Sequence, residues 1–437
     1  MLYIFVLLLF VAFLCLCIKK TIWGVAIFTA IIICIPVTAR VFGIGLGSLC
    51  TLLLFLWVIK DVLFNHRLYN KKYNFPILGF IIPLMIIALF GVIDYQYQMK
   101  QMLYLVPAPF ILLFFLYAIK SNEDIDLISK TFIYSFFIIG IYGIITYIIK
   151  MNPYALAFAT TFGVEDKEFL ISFTNTTENV RGGLVGRATG SAISSLIWGQ
   201  MCLVALPVIM FLHPKDMNQR FIYANIFISS LNIFLSGHRS CILPMFLLIV
   251  YYFYRQTSRR QFIQNAVKIL VALPIIYVFL SMIPETKGYV QNIETTIFFW
   301  DDTLADKNNI GGSSNEMRLN QLIGAFDMVK DHFLCGLGYG YPSFYAEKYG
   351  QHPVMLGFES IFFREFVSSG FLGFLVWLLF FKKCYTSTIY NKQYFISLMI
   401  HGSYFISILL TGIQSTFALY LIMTAIMMKK IELNQTR

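Results

Sequence analysis

The sequence predicts an all-α, polytopic integral membrane protein with about 12–14 transmembrane helices and a large outer loop that contains an amphipathic helix. Three observations predict this class. Of the 437 residues, 58% are hydrophobic and 13% are charged, the mean hydropathy is +0.73, and long apolar runs recur along the chain. A soluble domain carries roughly a quarter charged residues, so its surface could not cover this much apolar side chain. We therefore expect a single transmembrane domain over residues 1–437.

The expected spans follow from the thickness of a bilayer. Roughly 30 Å of hydrocarbon needs about 20 apolar residues in a helix. Such runs occur at 1–18, 21–39, 44–59, 75–93, 102–119, 131–149, 191–212, 221–236, 240–254, 267–283, 360–381, 394–410 and 413–428. Three of these thirteen runs are short (44–59, 240–254 and 413–428), which leaves twelve to fourteen spans open.

The basic residues follow the alternation of the loops. Twenty lysines and arginines fall in or beside one set of loops, whereas the short loops of the other set contain three, namely Arg40, Lys100 and Arg239. Basic residues gather on the cytoplasmic side of membrane proteins, so this pattern places the C-terminus in the cytoplasm. The formal net charge of +11 is then a consequence of topology, and we expect no nucleic-acid partner.

Two outer loops are long, at residues 150–190 and 284–358. Long loops between spans commonly carry function. Within the second loop, apolar residues recur at helical spacing: Leu319, Leu322, Ile323, Phe326 and Val329. A glycine-rich stretch, residues 336–340, then ends the pattern. We expect an amphipathic helix over residues 314–333 that rests on the outer membrane interface or over a cavity.

Several ionisable residues lie at or near the outer ends of spans: Arg40, Arg187, Arg239, Arg318, Glu359, Arg364 and Glu365. A charge at membrane depth is expensive, so it usually faces a polar cavity or a partner, although an arginine near a span end can also extend to the headgroups. Arginine binds anionic oxygens through two parallel N–H groups, so several arginines that converge from separate segments would form an anion site. The eight cysteines lack the spacing with histidine that is typical of a metal site, and none is expected.

Four segments, taken in order, resemble the O-antigen polymerase and O-antigen ligase superfamily of bacterial polysaccharide membrane proteins. They are the segment 186–190 that enters a span, the turn at 236–240 with Arg239, Met317-Arg318 with the stretch 325–340, and Glu359-Ser360 with Gly370 and Gly373 downstream. Together they extend from about residue 180 to 380, roughly half of the chain. The first six spans are similar to the superfamily only in character.

The resemblance implies a metal-independent glycosyltransferase in the bacterial inner membrane, with periplasmic outer loops and an active site facing the periplasm. The donor would be a glycan on undecaprenyl diphosphate. A hydroxyl of a second lipid-linked repeat unit would attack its anomeric carbon while the lipid diphosphate leaves. The expected partners are this lipid-linked oligosaccharide, the bilayer and a chain-length regulator protein, and no cofactor is expected.

Within that reaction the site residues take two roles. Cationic groups stabilise the charge that develops on the leaving diphosphate, and the expected ones are Arg187, Arg239, Arg318 and Arg364. A base accepts the proton of the attacking hydroxyl, and Glu359 is expected in that role. An ion pair with an arginine is the structural alternative for Glu359, and His332 and His238 are the alternatives for the base.

Two other interpretations stay open. A ligase that moves finished polysaccharide onto lipid A core would share the donor and the arginines and differ in the acceptor. Ligases of this superfamily carry a histidine where the large loop enters the next span; the matching residue here is Glu359, which favours a polymerase. A lipid-linked oligosaccharide flippase or another transporter is the second alternative, although the chain shows no clear internal repeat and its polar residues gather on the outer side.

Overall fold

The computed structural model describes residues 1–60, 71–164, 170, 173–174, 187–264, 277, 281–282, 315–350, 352–355, 358, 360–389, 394–410 and 416–435. The helices in the first part of the chain are α1 (Leu2–Lys19), α2 (Thr21–Cys34), α3 (Leu46–Lys60), α4 (Lys71–Ala88), α5 (Tyr95–Leu105), α6 (Phe110–Ala118), α7 (Asn122–Ile149) and α8 (Pro153–Thr161). Between α2 and α3, two-residue strands β1 (Arg40–Val41) and β2 (Ile44–Gly45) pair as an antiparallel hairpin.

The second part of the described chain continues with eight further helices. They are α9 (Ser195–Phe211), α10 (Gln219–Ser236), α11 (Arg239–Gln256), α12 (Asn315–Val329), α13 (Tyr341–Tyr349), α14 (Ile361–Ser387), α15 (Tyr394–Leu410) and α16 (Phe417–Gln435). A short 3-10 turn, Lys330–His332, follows α12. The expected span 267–283 lies outside the described residues, apart from positions 277, 281 and 282.

Three of the described helices are long and apolar enough to cross a membrane: Leu2–Lys19, Asn122–Ile149 and Phe363–Ser387, the last within α14. Shorter apolar helices, α9 among them, pack beside them. Large apolar side chains such as Ile138 and Phe227 lie exposed on the helix surfaces, as they do in proteins surrounded by lipid. The expectation of an all-α membrane protein is confirmed.

Small and polar residues join three helices at one point. On α7, a Cβ placed on Gly143 would clash with the Asn232 amide oxygen and would lie 2.8 Å from the Trp198 ring nitrogen. The Trp198 Nε1–H of α9 donates to the Asn232 Oδ1 of α10 at 2.8 Å, and Asn232 Nδ2 donates to the Gly140 carbonyl at 2.9 Å. Close backbone approach at glycine and hydrogen bonds between helices are the usual means of helix association in a bilayer.

Contacts at the two ends of α7 sort the loops into two groups. Lys130 forms a 2.6 Å ion pair with Asp216, between α9 and α10. Near the other end, the Thr146 hydroxyl accepts a 3.3 Å hydrogen bond from the backbone N–H of Thr189, ahead of α9. The two positions are about 24 Å apart along one helix, so the segments before and after α9 lie at opposite ends, as alternating spans require. The end with Thr146 and Thr189 is the one predicted to be outer and is called the outer end below.

The expected helix 102–119 is interrupted, and this prediction of a continuous span is wrong. The helix α5 ends at Leu105, a turn follows over residues 106–109, and α6 begins at Phe110. Pro107 and Pro109 cause the break, because proline has no N–H to donate and disfavours a helical residue before it. The consequence is that α6 packs in the core against α16, while α5 carries glutamines at the outer end.

The helix α14 is broken at Gly370, which has φ 65° and ψ −165°. A break in an apolar helix leaves backbone groups that a bilayer cannot hydrogen-bond. Residues 333–338 supply the partners through four backbone hydrogen bonds of 2.9–3.1 Å: Leu337 N–H to Val367 O, Gly338 N–H to Ser368 O, Phe371 N–H to Phe333 O and Leu372 N–H to Leu334 O. Gly336 lies over the break, where a Cβ on it would be 2.5 Å from the Gly370 backbone.

The helix expected in the large outer loop is present as α12 and the 3-10 turn after it. One face of α12 is buried against α14 through Ala325 and Val329. The other face exposes Leu319, Ile323 and Phe326. Apolar side chains on both faces favour a helix that lies between α14 and the lipid interface.

We expect Gly336→Ala and Gly370→Ala each to lower the free energy of unfolding by roughly 2 kcal/mol or more, because each adds a methyl group against backbone at a positive φ. Gly350→Ala is the matched control: its φ is +79° and nothing lies within 4 Å of the added atom, so about 1 kcal/mol of strain is expected. Thermal unfolding of the detergent-purified variants measures the difference. Equal losses at the three glycines would contradict the role of segment 333–338.

Candidate functional site

The turn between α10 and α11 brings two of the predicted arginines together. Gly237 has a φ of 64° and ends α10, and Arg239 begins α11. A Cβ on Gly237 would lie 3.3 Å from Nε of Arg187, so the Arg187 side chain lies across the turn. The backbone N–H of Ala188 donates to the Leu235 carbonyl at 2.9 Å, which fastens the Arg187 segment to the end of α10.

The Arg187 segment is held from several sides. The Asn152 amide donates to the Thr189 hydroxyl at 2.7 Å and to the Gly190 carbonyl at 2.9 Å. The Ser191 hydroxyl donates to the Ile33 carbonyl at the end of α2. Asn152 is fully buried and also caps α8 through Ala155. These contacts fix the backbone from which Arg187 projects, which is what a preorganised charged site needs.

His238 lies buried in the turn, near Arg187. Its ring nitrogens lie 2.7 Å from the Ser240 hydroxyl and 3.4 Å from the Cys241 sulfur. On the α9 side it packs against Gly199, where a Cβ would come within 2.8 Å of the His238 Cβ. Burial, with a smaller contribution from the nearby Arg187 charge, lowers the pKa of His238 to about 4. At neutral pH the imidazole is therefore uncharged, and the positive charge of this turn comes from the arginines.

A cavity of about 250 Å³ lies at the same outer end. It is formed by residues of α3, α5, α13, α14 and α16 and the segments next to them: Ser48, Gln101, Leu105, Ala108, Tyr339, Gly340, Ser343, Arg364, Glu365, Ser368 and Phe417. Arg364 is half-buried, whereas Glu365 is 1% exposed. Glu365 Oε2 accepts a 2.9 Å hydrogen bond from Trp377 Nε1 within α14. The cavity thus presents a cation, a carboxylate and hydroxyl and amide groups to a bound molecule.

The glycine-rich segment 336–340 forms one wall of the cavity and is fixed by α5. The backbone N–H of Tyr339 donates to Gln98 Oε1 at 2.9 Å, and Gln98 Nε2 donates in turn to the Ile93 carbonyl at 3.0 Å. Val92 N–H donates to the Leu337 carbonyl at 2.9 Å. The glycine at 340 allows the segment to approach Gln101, which also lines the cavity. The glycines of segment 336–340 therefore form a turn after the helix and position one wall of the cavity.

A buried polar residue connects the turn to the cavity. Gln200 follows Gly199, which packs on His238, and is fully buried. Its Oε1 accepts from the Thr416 hydroxyl at 2.8 Å, and its Nε2 donates to the Ser407 hydroxyl at 3.2 Å. Thr416 is adjacent to Phe417, which lines the cavity. The Gln200 side chain and its neighbours thus link the turn between α10 and α11 to the cavity.

The predicted site residues fall into four groups. His238 and Arg239 belong to the turn, the Arg187 side chain lies across it, and Arg364 lies at the cavity. His332 is exposed on the 3-10 turn after α12, away from these contacts. Glu359 and the Arg318 side chain lie outside the described residues, although the backbone at 318 belongs to α12.

Several cavity residues were not predicted as site residues. Gln101 and Tyr339 come from stretches whose polar character is visible in the sequence, but nothing there indicates that they meet. Glu365 is a charge near a span end in the sequence, but the resemblance favours Glu359 as the site residue. Among the described residues, no three His, Cys, Asp or Glu side chains are grouped as a metal site would require.

We expect acid to destabilise the wild type between about pH 6.5 and pH 4, because the unfolded chain binds a proton that buried His238 does not. The sign follows from the depressed pKa: stability is fully present above the unfolded value and is lost as pH falls toward the folded one. The loss is at most about 3 kcal/mol. Thermal midpoints from pH 7.5 to 4 should diverge between wild type and His238→Gln, with His332→Gln as the control. If the thermal midpoints of all three proteins change with pH in parallel, His238 is not the source of the acid sensitivity.

Comparison with known families identifies part of the chain. Residues 224–378 match a family model described as O-antigen ligase. The match begins in α10 and ends in α14, so it contains the turn with Arg239, α12 and Arg364, whereas Arg187 lies before it. No curated protein matches the chain. Over residues 224–378, the match confirms the resemblance to the O-antigen polymerase and ligase superfamily that the sequence shows.

Proposed function

We propose that the protein is a polysaccharide polymerase, which joins undecaprenyl-diphosphate-linked repeat units at the periplasmic face of the bacterial inner membrane. One observation carries the proposal: Arg187 reaches from a separate segment across the turn that ends in Arg239. Two guanidinium groups at the outer end make a site for an anion with several oxygens, such as a diphosphate. The superfamily implies a lipid-linked saccharide as the substrate that would carry this anion.

The proposed reaction is a substitution at an anomeric carbon. The oxygen of an acceptor hydroxyl forms the new glycosidic bond, and the bond from the anomeric carbon to the diphosphate oxygen breaks. The hydroxyl proton passes to a base on the protein. The lipid diphosphate leaves with one more negative charge than it had as an ester. Stabilising that charge is the main electrostatic task of the site.

Arg187 and Arg239 suit this task because their backbones are fixed and they lie at the outer end. The N-terminus of α11 adds the partial positive charge of its free N–H groups beside Arg239. Arg318 and Arg364 are proposed to contact the same substrate from α12 and from the cavity. Because His238 is buried and uncharged at neutral pH, we assign it to support of the turn.

Glu359 is the proposed base. The next residue, Ser360, is buried, and its hydroxyl donates to the Leu409 carbonyl at 2.5 Å, which anchors the chain at the start of α14. Arg364, four residues beyond Ser360, lines the cavity. We propose that the carboxylate of Glu359, the neighbour of Ser360 in the sequence, accepts the proton of a sugar hydroxyl.

A ligase is the second candidate, and the description of the matching family favours it. It would use the same donor and the same arginines and would transfer the finished glycan to lipid A core. The glutamate at the position where ligases of the superfamily carry histidine favours the polymerase. The two functions differ in the acceptor, which is a lipid-linked repeat unit for the polymerase and lipid A core for the ligase.

A deletion strain tests the proposal on a lipopolysaccharide gel. We expect lipid A core bearing single repeat units after deletion, and a full polymer ladder after complementation with wild type. Arg187→Ala or Arg239→Ala should lose most of the ladder, because removal of one charge-stabilising donor commonly costs about 10²–10³ in rate. Arg40→Ala is the control, since Arg40 is exposed on the β1–β2 hairpin. Immunoblots establish equal amounts of each variant in the membrane.

Other gel outcomes would overturn the polymerase. If the deletion leaves core without any repeat while long lipid-linked polymer accumulates, the protein is a ligase. If Arg40→Ala loses the ladder as fully as Arg187→Ala and Arg239→Ala do, the two arginines at the turn have no special role.

Glu359→Gln should abolish the ladder, because the amide keeps the shape of the side chain and cannot accept the proton. Glu359→Asp should retain a shortened ladder, since it keeps the carboxylate at a slightly different reach. The neighbouring Ser360→Ala removes an anchor instead and serves as the structural comparison. A normal ladder with Glu359→Gln would remove this residue from the reaction.

A further inference from the structure

An unassigned row of aromatic rings begins at the wall of the cavity. Tyr341, Tyr345 and Tyr349 occur at intervals of four along α13 and therefore share one face of the helix. Their ring centroids are 6.2 Å and 5.1 Å apart, and the His352 ring lies 4.9 Å from Tyr345. These four residues are called the aromatic row.

The aromatic row is held in place by a contact on another face of the same helix. Phe344 packs edge-on against Tyr97 of α5, with centroids 5.5 Å apart. The same helix α5 supplies Gln101 to the cavity. The row and the cavity are therefore parts of one packed unit, and their relative position is fixed.

Exposure increases along the row with distance from the cavity. Gly340 and Ser343, at the start of α13, line the cavity. Tyr341 and Tyr345 are half-buried, and Tyr349 is 59% exposed. The row therefore leads from a polar recess to the protein surface.

We propose that the cavity and the aromatic row together bind the glycan of the lipid-linked substrate, with one sugar ring in the cavity and the following rings along α13. A cavity of about 250 Å³ is smaller than the roughly 300–1,000 Å³ that drug-sized ligands occupy, which suits one ring. Arg364, Glu365 and Gln101 offer hydrogen-bonding groups to its hydroxyls. The aromatic rings offer flat apolar faces to the C–H faces of the next sugars. The identification of the ligand as a glycan rests on the proposed function.

Tyrosines also gather at membrane interfaces, where they anchor helices among headgroups. Two observations favour the glycan. The row converges on a polar cavity, whereas an anchoring belt follows the perimeter of a bundle. The row also lies on a helix with exposed charged residues, Glu347 and Lys348, and the Lys348 ammonium is 5.1 Å from the Tyr349 ring centre.

Binding by the full-length protein in nanodiscs tests the proposal. The probe is the polymer of the parent strain, released from its lipid by mild acid and titrated by calorimetry. Replacing Tyr345 and Tyr349 together by alanine should weaken binding by roughly tenfold or more, whereas replacing both by phenylalanine should leave it within about twofold. Tyr95→Ala is the matched control, because Tyr95 is 52% exposed on α5 outside the row. In cells, the alanine pair should give a ladder with a shorter modal length.

Two results would overturn the glycan track. One is binding by the alanine pair equal to wild type, with unchanged modal length. The other is a loss of membrane-inserted protein in the alanine pair while the purified remainder binds normally, which would assign the row to membrane anchoring. Failure of the proposed function would give a different result. The wild-type protein would bind the polymer through the aromatic row, but a strain that lacks the protein would keep an intact ladder or would show core without repeats and accumulated lipid-linked polymer.

Discussion

Backbone N–H and C=O groups at membrane depth need partners from the protein, because lipid offers none. In this protein that constraint meets a broken helix. Gly370 interrupts α14, and the segment 333–338 crosses the break and forms four hydrogen bonds with it. The outer end depends on this junction: the same segment continues into Tyr339 and Gly340, which line the cavity, and then into α13. The break would destabilise an isolated helix, but here its hydrogen bonds to segment 333–338 hold the cavity wall in place.

The second constraint is electrostatic, and it involves both halves of the chain. The matched family region supplies Arg239, Arg364 and the broken helix. Residues outside it complete the arrangement, because Asn152 holds the Arg187 segment and Gln101 closes the cavity. A diphosphate and a sugar place different demands on a binding site. The diphosphate needs cations, whereas the sugar needs groups that hydrogen-bond its hydroxyls and flat apolar surfaces for its C–H faces. We propose that the turn at residues 236–240 meets the first demand and that the cavity with its aromatic row meets the second.

The sequence predicts the parts of this architecture that depend on local pattern. Apolar runs locate most helices, and a polar turn between two apolar helices singles out Arg239. Pro107 and Pro109 are a local signal for the break between α5 and α6, although the length and hydropathy of residues 102–119 favour a continuous span. The break at Gly370 could not be predicted locally, because its hydrogen-bond partners lie more than thirty residues earlier. Glu365 and Gln101 share the cavity through packing of α5 on segment 336–340, which no spacing in the sequence indicates.

We propose that this membrane protein lengthens lipid-linked glycans on its own. The most direct measurement incubates the purified protein in nanodiscs with lipid-linked single repeat units extracted from the deletion strain, and follows lipid-linked products by mass spectrometry. We expect lipid-linked dimers and longer chains together with released undecaprenyl diphosphate, without added lipid A core. Product that forms only when lipid A core is added would contradict the proposal and would identify the protein as a ligase.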